Sequence, residues 1–151
     1  MSLDRNTVIA AVEASLQSAL TEGRAELEAL RASLTKETKS TAGDKHETGR
    51  AMVQLDIEQA GERLARTEAM EGLFRRLELD RPRREVGPGA WVETQLGHFF
   101  IGIPLGAVTL PEGSRLQAIS ADAPIAVALR GRTAGETVPF RGQDWTVVAV
   151  H

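Results

Sequence analysis

The residues best suited to chemistry sit together in one short stretch, Ala42-Gly43-Asp44-Lys45-His46-Glu47-Thr48-Gly49-Arg50. Asp44 and Glu47 are three positions apart, so a helix starting here would bring both carboxylates to one side. Two roles fit that spacing. Asp44 could cap the helix while Glu47 reaches back as the other half of a capping box. Alternatively, the two acids could be presented together to a divalent cation. Magnesium takes about six oxygen ligands, so a lone pair of carboxylates would have to share it with another macromolecule or a phosphate chain. A capping carboxylate keeps spare lone pairs, and the two roles are compatible. Lys36, Lys39, Lys45, His46 and Arg50 surround the acids. These cations either neutralise them or meet the phosphates or acidic groups of a partner.

These acids need elements to hold them out. Ile9, Leu16, Leu20, Leu27, Leu30 and Leu34 recur at three-, four- and seven-residue steps, with Glu13, Glu22, Arg24, Glu26, Glu28 and Arg31 on the other faces. That thin apolar seam is the pattern of a coiled coil. Met52, Ile57, Ala60, Leu64, Met70, Leu73, Phe74 and Leu77 form a second seam after the break Thr38–Asp44, a turn-forming cluster with no apolar anchor. Two seams around one turn predict an antiparallel α-helical coiled-coil hairpin over residues 1–80, with its tip near 38–50. Each arm would bury its stripe on the other. Arg63, Arg66, Arg75 and Arg76 read either as an RNA-facing stripe or as a solvated face, since Glu62, Glu68, Glu71 and Glu78 interleave with them.

The character of the chain then changes. Residues 1–85 carry 14 of the 18 Lys and Arg, 16 of the 21 Asp and Glu, and only one of the prolines. Residues 81–89 read as a short, proline-stiffened linker, and 90–151 as a second domain. In that domain Ala90–Gln95, His98–Ile103, Arg115–Ile119, Glu136–Phe140 and Asp144–Val150 are expected strands, with Gly97 and Gly142 in turns. Ser120 or Asp122 is placed to cap a short helix entered through Pro124. The expectation is an α+β chain: a helical hairpin, then a small antiparallel sheet covered by one short helix. Trp91, Phe99, Phe100, Phe140 and Trp145 suit its core better than a ligand pocket.

Composition closes off several classes. With no cysteine, a disulfide scaffold, a thiolate-held zinc and a cysteine nucleophile are excluded. No phosphate-cradling glycine loop and no defensible Ser/His/Asp order is present. No apolar run reaches the roughly 20 residues of a membrane span. The first residues do not form a signal peptide, so a cytoplasmic protein is expected. A net charge of −3 speaks against a general nucleic-acid binder.

Gly43-Asp44-x-x-Glu47 resembles the acidic tip of the Gre-type transcript cleavage factors of bacterial RNA polymerase. In that family an antiparallel coiled coil ends in G-D-x-x-E-N and is followed by a domain of FKBP-like fold. The segment from Ile119 to Arg132 is similar to the family's I-S-x-x-S-P-I/L-x-x-A-L-x-G-K, with Ala123 in place of the serine. Ala134-Gly135-Glu136-Thr137-Val138 is similar to the G-D-x-V step after it. Thr48-Gly49-Arg50-Ala51 replaces the family's usual Asn-Ala-Glu-Tyr. The resemblance covers nearly the whole chain. It implies a transcription elongation factor that enters the polymerase's secondary channel and stimulates cleavage of a backtracked transcript without being a nuclease itself. Asp44 and Glu47 would help hold a catalytic Mg2+ shared with the polymerase. Lys39, Lys45 and Arg50 would touch the partner or the 3′ end of the nascent RNA. It implies no sequence-specific DNA binding, and a monomer is expected. The alternative is a regulator that occupies the channel without promoting cleavage.

Overall fold

The computed structural model describes residues 3–39 and 43–151, with backbone alone for 37–39 and 43–46. Two long helices come first, α1 over Arg5–Lys39 and α2 over Gly43–Arg76. Then follow β1 (Trp91–Thr94), β2 (Gly97–Ile101), β3 (Gly106–Thr109), β4 (Arg115–Ile119), α3 (Pro124–Leu129), β5 (Thr137–Phe140) and β6 (Gln143–Val150). The class is α+β, as expected. The chain divides into two compact units, one of Gln17–Ala69 and one of Met1–Leu16 with Met70–His151. The ends of both long helices therefore group with the sheet.

In the all-helical unit the inward positions keep the coiled-coil step. Leu20, Gly23, Leu27, Leu30 and Leu34 on α1, and Val53, Ile57, Ala60, Leu64 and Thr67 on α2, are all buried or half-buried and follow alternating three- and four-residue steps. An ideal methyl on Gly23 would lie 3.3 Å from Leu64 Cδ1. The Arg63 guanidinium meets Glu26 at 2.7 Å. Those pairings run in opposite directions along the two helices, which makes this stretch an antiparallel pair. Met52 was expected in the seam but is 63% exposed, because the heptad step selects its neighbour Val53 instead. In the other unit Leu73 is also on the outside, and Phe74 is the buried residue. At the start of α1 the buried positions are Val8 and Val12, with Ile9 only half-buried.

In the sheet-bearing unit the strand order is β3-β4-β2-β1-β6-β5. All pairings are antiparallel except β2 with β4, which run parallel, Phe99 beside Gln117 and Ile101 beside Ile119. The sheet is thus mixed, where an antiparallel one was expected. The difference follows from β3, a strand that pattern reading missed. It turns back on β4 and leaves β4's other edge for β2. Alternation divides the side chains between two faces. Val92, Phe99, Ile101, Val138 and Val147 point to one face and pack with Ala126 and Leu129 of α3. Trp91 and Phe100, cross-strand partners on the opposite face, are buried as well. There the Phe100 ring meets Phe74 at 6.3 Å between centroids, and Trp91 stacks on His151 at 4.1 Å.

Residues 85–89, read as linker, are built into this unit. Val86 is buried in the core, its N–H donates to the Arg132 carbonyl, and the Gly89 N–H donates to Ile101. α3 has Pro124 in its first turn as expected, but its cap residue is Ala123 and carries no side-chain cap bond. Ser120 Oγ instead accepts from the Asp122 N–H at 3.1 Å, so that hydroxyl shapes the approach to the helix. At the β5–β6 turn, Arg141 (φ 50°) and Gly142 (φ 78°) form the left-handed two-residue loop of a type I′ hairpin.

Candidate functional site

Each proposed tip residue has a definite place along the backbone. Lys39 is the last residue of α1. Because α2 begins at Gly43, Asp44 and Lys45 fall in its first turn, with Glu47 and Arg50 following. Asp44 is the second residue of α2. Acidic residues in a first turn are favoured by the positive end of the helix dipole, so the position is a stable one for a carboxylate. The side chains of Lys39, Asp44, Lys45 and His46 lie outside the described residues. Glu47 and Arg50 are both exposed. Helical geometry puts positions 44 and 47 within one turn of each other, the spacing the paired-acid reading requires.

Among the described residues no three His, Asp or Glu side chains converge on a point where an ion could sit. The acid pair as a donor set suits one corner of a hard-cation site, with the remaining oxygens coming from elsewhere. That chemistry fits a shared ion.

The arginines of α2 take the place of an ordinary solvated face. Arg63 pairs with Glu26, both half exposed, where such a pair contributes little, and the exposed Arg75 meets the half-buried Glu71 at 3.4 Å. Trp91, Phe99 and Phe100 are core residues. Phe140 and Trp145 are half-buried, and Arg141 lies 5.0 Å over the Phe140 ring. No helix among the described residues is long and apolar enough to cross a membrane.

No family model matches the chain, and no curated protein does. Among solved structures it is similar to the "Structure of the transcription factor Gfh1", at 19% identity over 90% of each chain and a TM-score of 0.35. A superposition that loose carries no argument, and the functional reading rests on the residues themselves.

Proposed function

We propose that this chain is a Gre-like transcription elongation factor. It enters RNA polymerase through the secondary channel and stimulates cleavage of backtracked transcripts. The observation that carries the reading is that Asp44 and exposed Glu47 fall one helical turn apart in sequence at the start of α2, the second helix of the antiparallel pair. The resemblance of residues 43–47 and 119–138 to the Gre pattern supports it, as does a hairpin preceding a small sheet. In this reading Asp44 and Glu47 present carboxylate oxygens to Mg2+ at the polymerase active site. A second cation in such a site stabilises both the attacking and the leaving oxygen of a phosphodiester. Lys39, Lys45 and Arg50 hold the tip against RNA phosphate or polymerase acids, contacts that weaken as salt rises.

The test is a backtracked polymerase complex carrying end-labelled RNA. Wild-type protein should shorten the RNA, and Asp44→Asn and Glu47→Gln should abolish shortening while still binding. Tight binding by wild type without shortening would make it a non-cleaving channel regulator. No binding would overturn the polymerase reading altogether.

A further inference from the structure

Helix α2 carries a second regular stripe, on the side away from its seam with α1. Starting at Met52, alternating steps of three and four residues lead without a break to Arg76 and meet an exposed residue each time. At about 3.6 residues per turn these positions fall on one side of the helix, opposite the seam residues Ile57, Ala60 and Leu64. Met52, Leu55 and Leu73 lie on it and are 63%, 53% and 41% exposed. Among the described residues they are the large apolar side chains that the two long helices leave uncovered.

Two opposite charges stand in the middle of the stripe. Glu62 and Arg66 are one turn apart, a spacing at which they could pair with each other. Among the described residues neither enters an ion pair. The stripe is also symmetric about position 64. Laid end for end against a copy of itself, Leu55 meets Leu73, Gln59 meets Ala69 and Glu62 meets Arg66. Met52 then lies along the aliphatic stem of Arg76. A parallel alignment in register would instead set Glu62 on Glu62 and Arg66 on Arg66, where like charges repel.

From this symmetry we infer that the outward face of α2 docks on the same face of a second copy of this chain, antiparallel, in a two-fold dimer. Charge complementarity names the occupant. The acid of each copy falls opposite the cation of the other, once on either side of the axis. Exposed ion pairs contribute little energy. The leucine layers therefore supply the attraction, and the Glu62–Arg66 layers fix direction and register. With two leucine layers in about 36 Å of helix, the association is weak and depends on concentration. The partner is a second copy where a monomer was expected, and the inference does not depend on the polymerase reading.

Sedimentation of the full chain over a concentration series tests this. Wild type should move from the mass of one chain towards that of two as concentration rises. Glu62→Arg and Arg66→Glu should each weaken the dimer by about tenfold or more, since each sets like charges together in both layers. Mixed in equal amounts, the two variants should pair with each other as wild type does, because every layer then holds one acid and one cation. The double variant Glu62→Arg/Arg66→Glu should dimerise for the same reason. Both positions are exposed, so all three proteins should keep the wild-type melting curve at low concentration. Wild type that keeps the mass of one chain at every concentration would overturn the assignment. So would single variants that dimerise like wild type, or a mixture no different from either variant alone.

Discussion

Leu77 closes over Gly102 so tightly that a methyl group there would lie 2.7 Å from Leu77 Cδ1 and 2.9 Å from Cδ2. Gly102 also has φ +146°, a conformation that side chains rarely adopt. The contact joins the segment just after α2 to the end of β2. Gly102→Ala should therefore destabilise the protein by about 1–3 kcal/mol, the usual range for overpacking. Trimming the opposing side chain in Leu77→Ala should make the Gly102 change cheaper. A double-mutant cycle by denaturant unfolding reads that coupling, and strict additivity would show that the clash is not the cause.

Arg5 makes a second tie within the same unit. Its guanidinium donates to the Gly89 carbonyl at 2.9 Å and to the His151 carbonyl at 2.8 Å, with Leu79 at 3.4 Å. Replacing it with alanine leaves half-buried carbonyls short of a donor. We expect a loss of about 2 kcal/mol, within the range for hydrogen bonds to charged groups. Arg5→Lys should recover little of it, because one ammonium cannot reproduce the planar fork that serves diverging acceptors. Recovery of the wild-type unfolding midpoint by lysine would contradict this.

The helix-interior glycines separate by what surrounds them. Gly61 has nothing within 4 Å of an added methyl, whereas Gly23 has Leu64 at 3.3 Å. Gly61→Ala should stabilise the protein by about 1 kcal/mol through helix propensity alone. Gly23→Val should destabilise it, since a branched side chain would be forced into the seam. Thermal melts of the two variants should move in opposite directions.

Glu136 gives the sheet-bearing unit an acid-sensitive element. The Thr133 hydroxyl, the Thr133 N–H and then Arg132 hold its carboxyl below the usual glutamate range. A carboxyl with a lowered folded pKa contributes stability above its unfolded pKa, and that contribution is lost as pH falls through the folded one. The melting temperature should therefore fall on acidification below about pH 4.3, the ordinary glutamate value. Glu136→Gln should flatten part of that decline. An unchanged acid limb in the variant would remove Glu136 from the account.

Much of this architecture was readable in the residues, because periodicity reports burial. The leucines of α1, the break near residue 43 and the alternation in β1, β2, β4 and β6 each carried their own signal. β3 did not. Gly106-Ala107-Val108-Thr109 is short, rich in poor strand formers and bracketed by Pro104 and Pro111. It is a strand because β4 offers it an edge, which is a tertiary cause. Arg5 was invisible for a related reason: its acceptors are carbonyls that the fold brings together from 74 to 146 positions away. Val8 and Val12 were passed over for Ile9, since leucine spacing alone does not say which of two adjacent apolar residues turns inward. At the tip, spacing proposed the acid pair, and the backbone puts both residues at the start of α2.

The Arg5 clasp bears on how the chain is made. α1 leaves the ribosome early, but one acceptor for Arg5 belongs to His151, whose N–H and C=O also pair with Trp91. During synthesis the long helices can pair as soon as both have emerged. The Arg5 contact with His151 must wait until β6 has been translated and has paired with β1. A nascent chain halted before residue 143 would lack β6, the strand between β1 and β5, and Arg5 would lack its His151 acceptor.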